Sequence, residues 1–231
     1  MSQSITTGIQ GSVLARPRTR ARLTRAALAC GVAAGPLFIV SSGAQALTRP
    51  GFDLRRHAIS MLTLGDRGWM QRATFIVTGL LVLACAAGIR GALRGGRAGT
   101  WGPLLLGGYG VGLVVAGLFT PDPALGFPSG AAAGMAPAMS GHAILHAAAF
   151  FVAFISLVAA TFVFARGFAG LRDRRWLACC LATGVVPFPL IALSLALGGN
   201  GVVLFAMGVI TSAWVAALPA RLMAELGDAA V

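Results

Sequence analysis

Three groups of side chains in this sequence have types and spacings that could do chemistry. Asp53, His57 and Ser60 fall at i, i+4 and i+7 within "DLRRHAISML". On a helix that spacing places all three on one face, and the types are those of an acid, imidazole and hydroxyl relay. Nucleophilic catalysis needs the groups to converge and needs donors for the oxyanion. Side chains on one helical face project along near-parallel directions, and no oxyanion donors accompany them here. The expected role is local: Asp53 pairs with His57, and Ser60 bonds the backbone.

The second group is His142 and His146, at i and i+4. Two imidazoles one turn apart can share a metal. A third ligand would be His57, Asp122 or Asp66, and a bound zinc would then activate a water for hydrolysis. The plainer alternative is two interfacial histidines that bond loop carbonyls or lipid head groups. Haem is not expected, because its axial ligands face each other from different helices and only His57 lies outside the pair. Cys30, Cys85, Cys179 and Cys180 all sit in apolar runs without a metal-type C-x-x-C spacing, so they read as packing residues.

The third group is Arg55 and Arg56, beside His57. Guanidinium forks match phosphate and carboxylate geometry. They would hold either lipid phosphate at an interface or an anionic ligand in a pocket with His57 and Ser60. Asp122 lies in "PDP", where it reads as a turn residue bonding its own backbone or as a partner for the histidines and arginines.

The elements that must position these groups are apolar runs. The chain of 231 residues is 57% hydrophobic and 10% charged, with mean hydropathy +0.84. That is too apolar for an ordinary soluble domain. Runs begin and end near 26–47, 70–89, 101–120, 142–165, 176–197 and 202–218. Each approaches the roughly 20 residues that a membrane-spanning helix needs. An all-α bundle of six spans is therefore expected, running over residues 26–219. Residues 1–25 are expected to be a disordered basic tail, and 220–231 a short cytoplasmic one. The "AQA" at Ala44–Ala46 resembles a signal-peptidase site. The run before it is longer than the roughly 7–15 residues of a signal-peptide core, so an uncleaved span is expected.

Arginine sets the expected orientation. The net charge of +12 contains no lysine. Five arginines precede the first run, and eight more fall in the second and fourth connections and after the sixth run. The other five, Arg49, Arg55, Arg56, Arg67 and Arg72, lie in or beside the first connection, so thirteen of the 18 lie on the side of the termini. The positive-inside rule places both termini in the cytoplasm. Topology thus accounts for the basic charge without nucleic acid. Absence of lysine with abundant alanine and glycine matches a GC-rich bacterial genome, so the expected location is a bacterial plasma membrane. All three histidines, with Asp53, Asp66 and Asp122, then lie on the outer side. "GGYGVGLVVAG", with Gly108 and Gly112, and Gly31 with Gly35 have the small-xxx-small spacing of close helix contacts. "PFP", Pro187–Pro189, predicts a kink in the fifth run. Trp101, Trp176 and Trp214 are expected at the inner interface, and Trp69 at the outer one.

"RPGFDLRRHAISMLTLGDRGWMQRATFIVTGLL", "AGLFTPDPALGFP" and "SGHAILHAAAFFVAF" together resemble a family of six-span bacterial membrane proteins, domain of unknown function 998. The resemblance runs from about Ala29 to Leu218. It implies six transmembrane helices and no agreed activity. The family's loop pattern, a His followed by Pro, then Ser and Gly-x-x-Gly-Trp, is met by His57, Ser60, Gly65, Gly68 and Trp69. Ala58 stands where the pattern has Pro. Asp122 and His146 align with the family's outer acid and fourth-span histidine.

The functional expectation is a membrane protein that binds or passes a small amphiphile or lipid head group at an outer polar pocket. Arg55, Arg56 and His57 would hold the anionic part, with Ser60 beside them and Asp122, His142 and His146 facing them, without a cofactor. The alternatives are a zinc-dependent membrane hydrolase built on His142, His146, His57 and Asp122, and an accessory or scaffold subunit.

Overall fold

The computed structural model describes residues 17–93 and 95–228. Its helices are α1 (Pro17–Thr48), α2 (Gly68–Ala92), α3 (Gly96–Leu118), α4 (Gly141–Gly170), α5 (Arg174–Val185), α6 (Pro187–Ala196) and α7 (Gly201–Asp228). A five-residue 3-10 helix, Ile59–Thr63, lies in the first long loop. Counting α5 and α6 as one broken span, six helices among the described residues are long and apolar enough to cross a membrane. The helices overrun the apolar runs at both termini. α1 starts at Pro17, a residue pre-set for a first helical turn, and residues 1–16 of the expected tail lie outside the described residues.

Successive helices pack side by side from α1 to α5, and α1 closes the bundle against α7. Lipid is as apolar as the side chains, so close backbone approach rather than water exclusion must hold these pairs. Glycine supplies it. A Cβ on Gly112 of α3 would lie 2.8 Å from the Ala149 carbonyl oxygen of α4. One on Gly79 of α2 would lie 2.6 Å from the Gly110 carbonyl oxygen of α3, and one on Gly35 of α1 would strike the Ser212 carbonyl of α7. The small-residue spacings therefore serve packing within one bundle.

The half of the bundle nearest the termini has the larger core cluster, built on Leu28, Val82, Ile89, Leu106, Phe164, Trp214 and Leu218. Trp214 is a core residue, 2% exposed, and not an interfacial one. Its ring packs 5.9 Å from Phe164 and its indole N–H donates to Cys180 Sγ at 3.4 Å. Asp173 and Glu225 pair with Arg221 at this end. Between α1 and α2 the loop-end half carries a polar ladder. Gln45 Nε2 donates to Gln71 Oε1 at 2.8 Å, Gln71 Nε2 donates to Ser42 at 2.9 Å, and Ser41 meets Thr74 at 2.7 Å. Each group is satisfied by another, which is what burial in lipid requires.

The fifth span breaks at Val186, where the prolines predict it. Pro187 and Pro189 offer no N–H to the carbonyls of Thr183 and Val185. Beyond the break α6 leans on α7, whereas α4 packs mainly on α3 and α5, meeting α7 near the termini through Phe164 and Trp214 and α6 through the edge contact of Phe154 with Phe188. That leaves a gap between α4 and α7 in the loop-end half.

The first loop is less helical than its sequence suggests. The amides of Arg56 and His57 both donate to the Asp53 carbonyl, and Ala58 is extended, with φ −67° and ψ 147°. The 3-10 helix follows, with Met61, Leu62 and Thr63 buried. Asp53, His57 and Ser60 thus do not share one helical face. Ala58 keeps the φ that proline would impose, and among the described residues its N–H has no acceptor. Ala58→Pro is accordingly expected to stabilise the protein by about 0.4–1 kcal/mol by restricting the unfolded chain. Thermal unfolding in detergent checks this; a lowered midpoint would show that the loop backbone is not proline-compatible.

Candidate functional site

His57 is 3% exposed and joins the two long loops. Its Nδ1 accepts the Asp53 backbone N–H at 2.9 Å, and Nε2 lies 3.1 Å from the Leu125 carbonyl oxygen. An Nδ1 that accepts carries no proton, so the hydrogen-bond network assigns the proton to Nε2, which donates to Leu125. Phe52 and Phe127 flank the ring at centroid distances of 5.3 and 5.4 Å. Both nitrogens are committed, and the ring acts as a pin. The Asp53 carboxylate does not pair with it; Oδ1 accepts the Arg55 backbone N–H at 2.9 Å.

Asp122 serves the start of α4. Its Oδ2 accepts the Ser140 backbone N–H at 2.8 Å, and Ser140 Oγ caps α4 by accepting the Ala143 N–H at 3.2 Å. The hydrogen bonds from Ser140 hold the Asp122 carboxyl below its ordinary value. Its contribution is therefore present at neutral pH and is lost as pH falls through that lowered value.

The two α4 histidines, which the metal alternative would pair, sit in different surroundings. His142 is exposed and packs edge-on to Phe119 at 5.4 Å. His146 is 8% exposed, and its Nδ1 lies 3.0 Å from the Ala116 carbonyl oxygen and 2.9 Å from that of Phe119. Those are orphan acceptors at the C-terminal end of α3, so Nδ1 carries the proton and donates. Nε2 then presents a lone pair and has no partner among the described residues. No group of three His, Cys, Asp or Glu side chains that could hold a metal occurs among the described residues.

His146 lines a cavity of about 370 Å³ in the gap between α4 and α7. Phe38, Phe75, Tyr109, Leu113 and Ala116 wall it from α1, α2 and α3. Phe150, Phe151, Phe154 and Leu157 line it from α4, and Leu204, Met207, Gly208, Thr211 and Ser212 from α7. Ala58, Ile59 and Ser60 form its lid at the loop end. The surface is mostly hydrocarbon, with His146 and Ser60 as the polar groups nearest the lid. Phe150 and Phe151, on the lipid-facing side of α4, are 43% and 60% exposed.

A second concavity, of about 380 Å³, lies between the loops and is lined by Arg49, Asp66, Arg67 and Ser129 with apolar neighbours. Of the predicted residues, the structure brings His146 and Ser60 to one cavity. Arg55 and Arg56 are exposed and line neither cavity, and His57 and Asp122 are engaged with backbone. The α7 wall was not anticipated from sequence. Its one visible signal is a glycine, Gly208, set among large side chains opposite an α4 face rich in phenylalanine.

Replacing His57 by Leu would leave the part-buried Asp53 N–H and Leu125 carbonyl without their partner, at a cost of about 1 kcal/mol each. The expected outcome is a lower unfolding midpoint and faster amide exchange in both long loops. Unchanged exchange in the second loop would show that His57 does not join them.

A family model described as "Protein of unknown function (DUF998)" matches residues 32–221. No curated protein and no solved structure matches the chain.

Proposed function

The chain belongs to the DUF998 family of proteins of unknown function, and we propose that it binds a single-chain amphiphile in the cavity beside His146. The observation that carries this reading is an apolar cavity whose buried imidazole has one nitrogen without a partner. At about 370 Å³ it is at the small end of ligand pockets, which span roughly 300–1,000 Å³. That suits one hydrocarbon chain and not a two-chain lipid. His146 to Leu157, which line it along α4, span about 16 Å of helix at roughly 1.5 Å per residue.

Moving a chain from bilayer to pocket gains little, because both surroundings are hydrocarbon. Discrimination therefore falls to the polar end. A neutral His146 protonated on Nδ1 offers an acceptor at Nε2, and the Ser60 hydroxyl offers both a donor and an acceptor. The fitting head group carries a hydroxyl or an amide N–H close to the chain. The chain enters sideways from the lipid, between α4 and α7, past Phe150 and Phe151. The distribution of arginines supports a bacterial plasma-membrane setting in which the long loops face outward and the termini face the cytoplasm.

Gly208→Phe tests this. A Cβ at Gly208 meets nothing within 4 Å, so the larger side chain fills the cavity without striking the backbone. Native mass spectrometry of protein extracted in mild detergent should find a single-chain amphiphile on the wild type. The variant should carry it at about tenfold lower occupancy, equivalent to about 1.4 kcal/mol, with an unchanged unfolding midpoint. Equal occupancy in the two proteins would overturn the proposal.

A further inference from the structure

We propose that the concavity between the two long loops is a binding site for a phosphate group, formed by the guanidinium groups of Arg49 and Arg67 with the Ser129 hydroxyl. The site stands on observations separate from the cavity beside His146. Arg49 lies just past the end of α1, and its guanidinium is held by neutral acceptors. Nη2 donates to the Arg67 carbonyl oxygen at 2.8 Å and to Gln45 Oε1 at 3.3 Å, and Nη1 donates to the Leu64 carbonyl oxygen at 3.4 Å. Carbonyl and amide oxygens fix the group in place but leave its unit charge intact. The same contacts bring the Arg67 residue against it.

Arg67 is exposed, and its side chain has no hydrogen-bond partner among the described residues. Asp66 also lines the concavity but lies within ion-pair distance of neither arginine among the described residues. Two arginines thus line one space, and Asp66, the acid that shares it, is ion-paired with neither among the described residues. Burial and the charge of Arg67 push the Arg49 guanidinium below its ordinary value, the direction that repulsion between the two gives. Pro50, Leu64, Phe127 and Pro128 complete the walls. Apolar walls lower the local dielectric and strengthen an ion pair formed there.

The chemistry selects a tetrahedral oxyanion. Arg49 supplies a preset charge, Arg67 a free planar fork that can take two oxygens, and Ser129 a hydroxyl donor. Arg55 and Arg56 carry the same charge in the same loop but face open solvent, so they serve as internal controls.

Binding is measured by calorimetry on the full chain in a zwitterionic detergent, with two probes: inorganic phosphate and a short-chain phosphatidic acid. Arg67→Gln should weaken binding about tenfold, and Ser129→Ala should weaken it less. The Arg55→Gln/Arg56→Gln double variant should bind within twofold of wild type. Binding of inorganic phosphate assigns the site to a free anion as well as to a head group. Arg67-dependent binding of the phosphatidic acid alone assigns it to a lipid head group. Binding of neither probe, or equal loss in the Arg55/Arg56 double variant, would overturn the proposal. Gly208→Phe should leave phosphate binding unchanged, which separates failure of this site from failure of the amphiphile cavity.

Discussion

One imidazole holds the loop end of this bundle together. A membrane protein must satisfy its buried polar groups from within, and two long loops folded over a gap between helices bring many such groups with them. His57 accepts a hydrogen bond from the Asp53 amide on one side and donates one to the Leu125 carbonyl on the other. The first loop is thereby fixed to the second, and the lid of Ala58, Ile59 and Ser60 is fixed over the cavity. The concavity between the loops, with Arg49 on one wall and Pro128 on the other, also exists only because the loops are joined.

His146 shows the complementary use of the same side chain. Its Nδ1 caps carbonyls at the end of α3, as His57 caps one in a loop, but its Nε2 is left over. An imidazole with both nitrogens engaged is structure. One with a nitrogen free toward an apolar space can meet a ligand. The space arises from uneven packing: glycines let α1, α2, α3 and α7 approach closely, whereas beyond the break at Val186 α6 leans on α7 and meets α4 through the Phe154–Phe188 edge contact. The cavity is what remains between α4 and α7.

Much of this fold was legible in the sequence. Six apolar runs, the proline break and the glycine contacts each follow from a local property: length, a missing N–H or a missing Cβ. The site was legible only in part. Ser60 and His146 are where a reading of polar residues in apolar surroundings would place them. Arg55 and Arg56 drew attention as a pair, yet Arg49 and Arg67 line the pocket between the loops, because the pairing of two loops far apart in the chain decides which arginines face inward. Trp214 looked interfacial because tryptophan often is; its partners Phe164 and Cys180 come from other helices and carry no local signal. The cavity itself is an absence of contact, and no residue pattern spells that.

The central claim is that hydrocarbon occupies the space between α4 and α7. The most direct measurement is photocrosslinking of the protein in bilayers with a diazirine-bearing single-chain alcohol, followed by peptide mapping. The account predicts labelling concentrated on the stretches Ala147–Phe154 and Leu204–Ser212, competed away by unlabelled single-chain alcohol. Labelling spread over the lipid-facing surface, with Ile155 and Leu195 marked as strongly as Met207 and Gly208 and no competition, would contradict it.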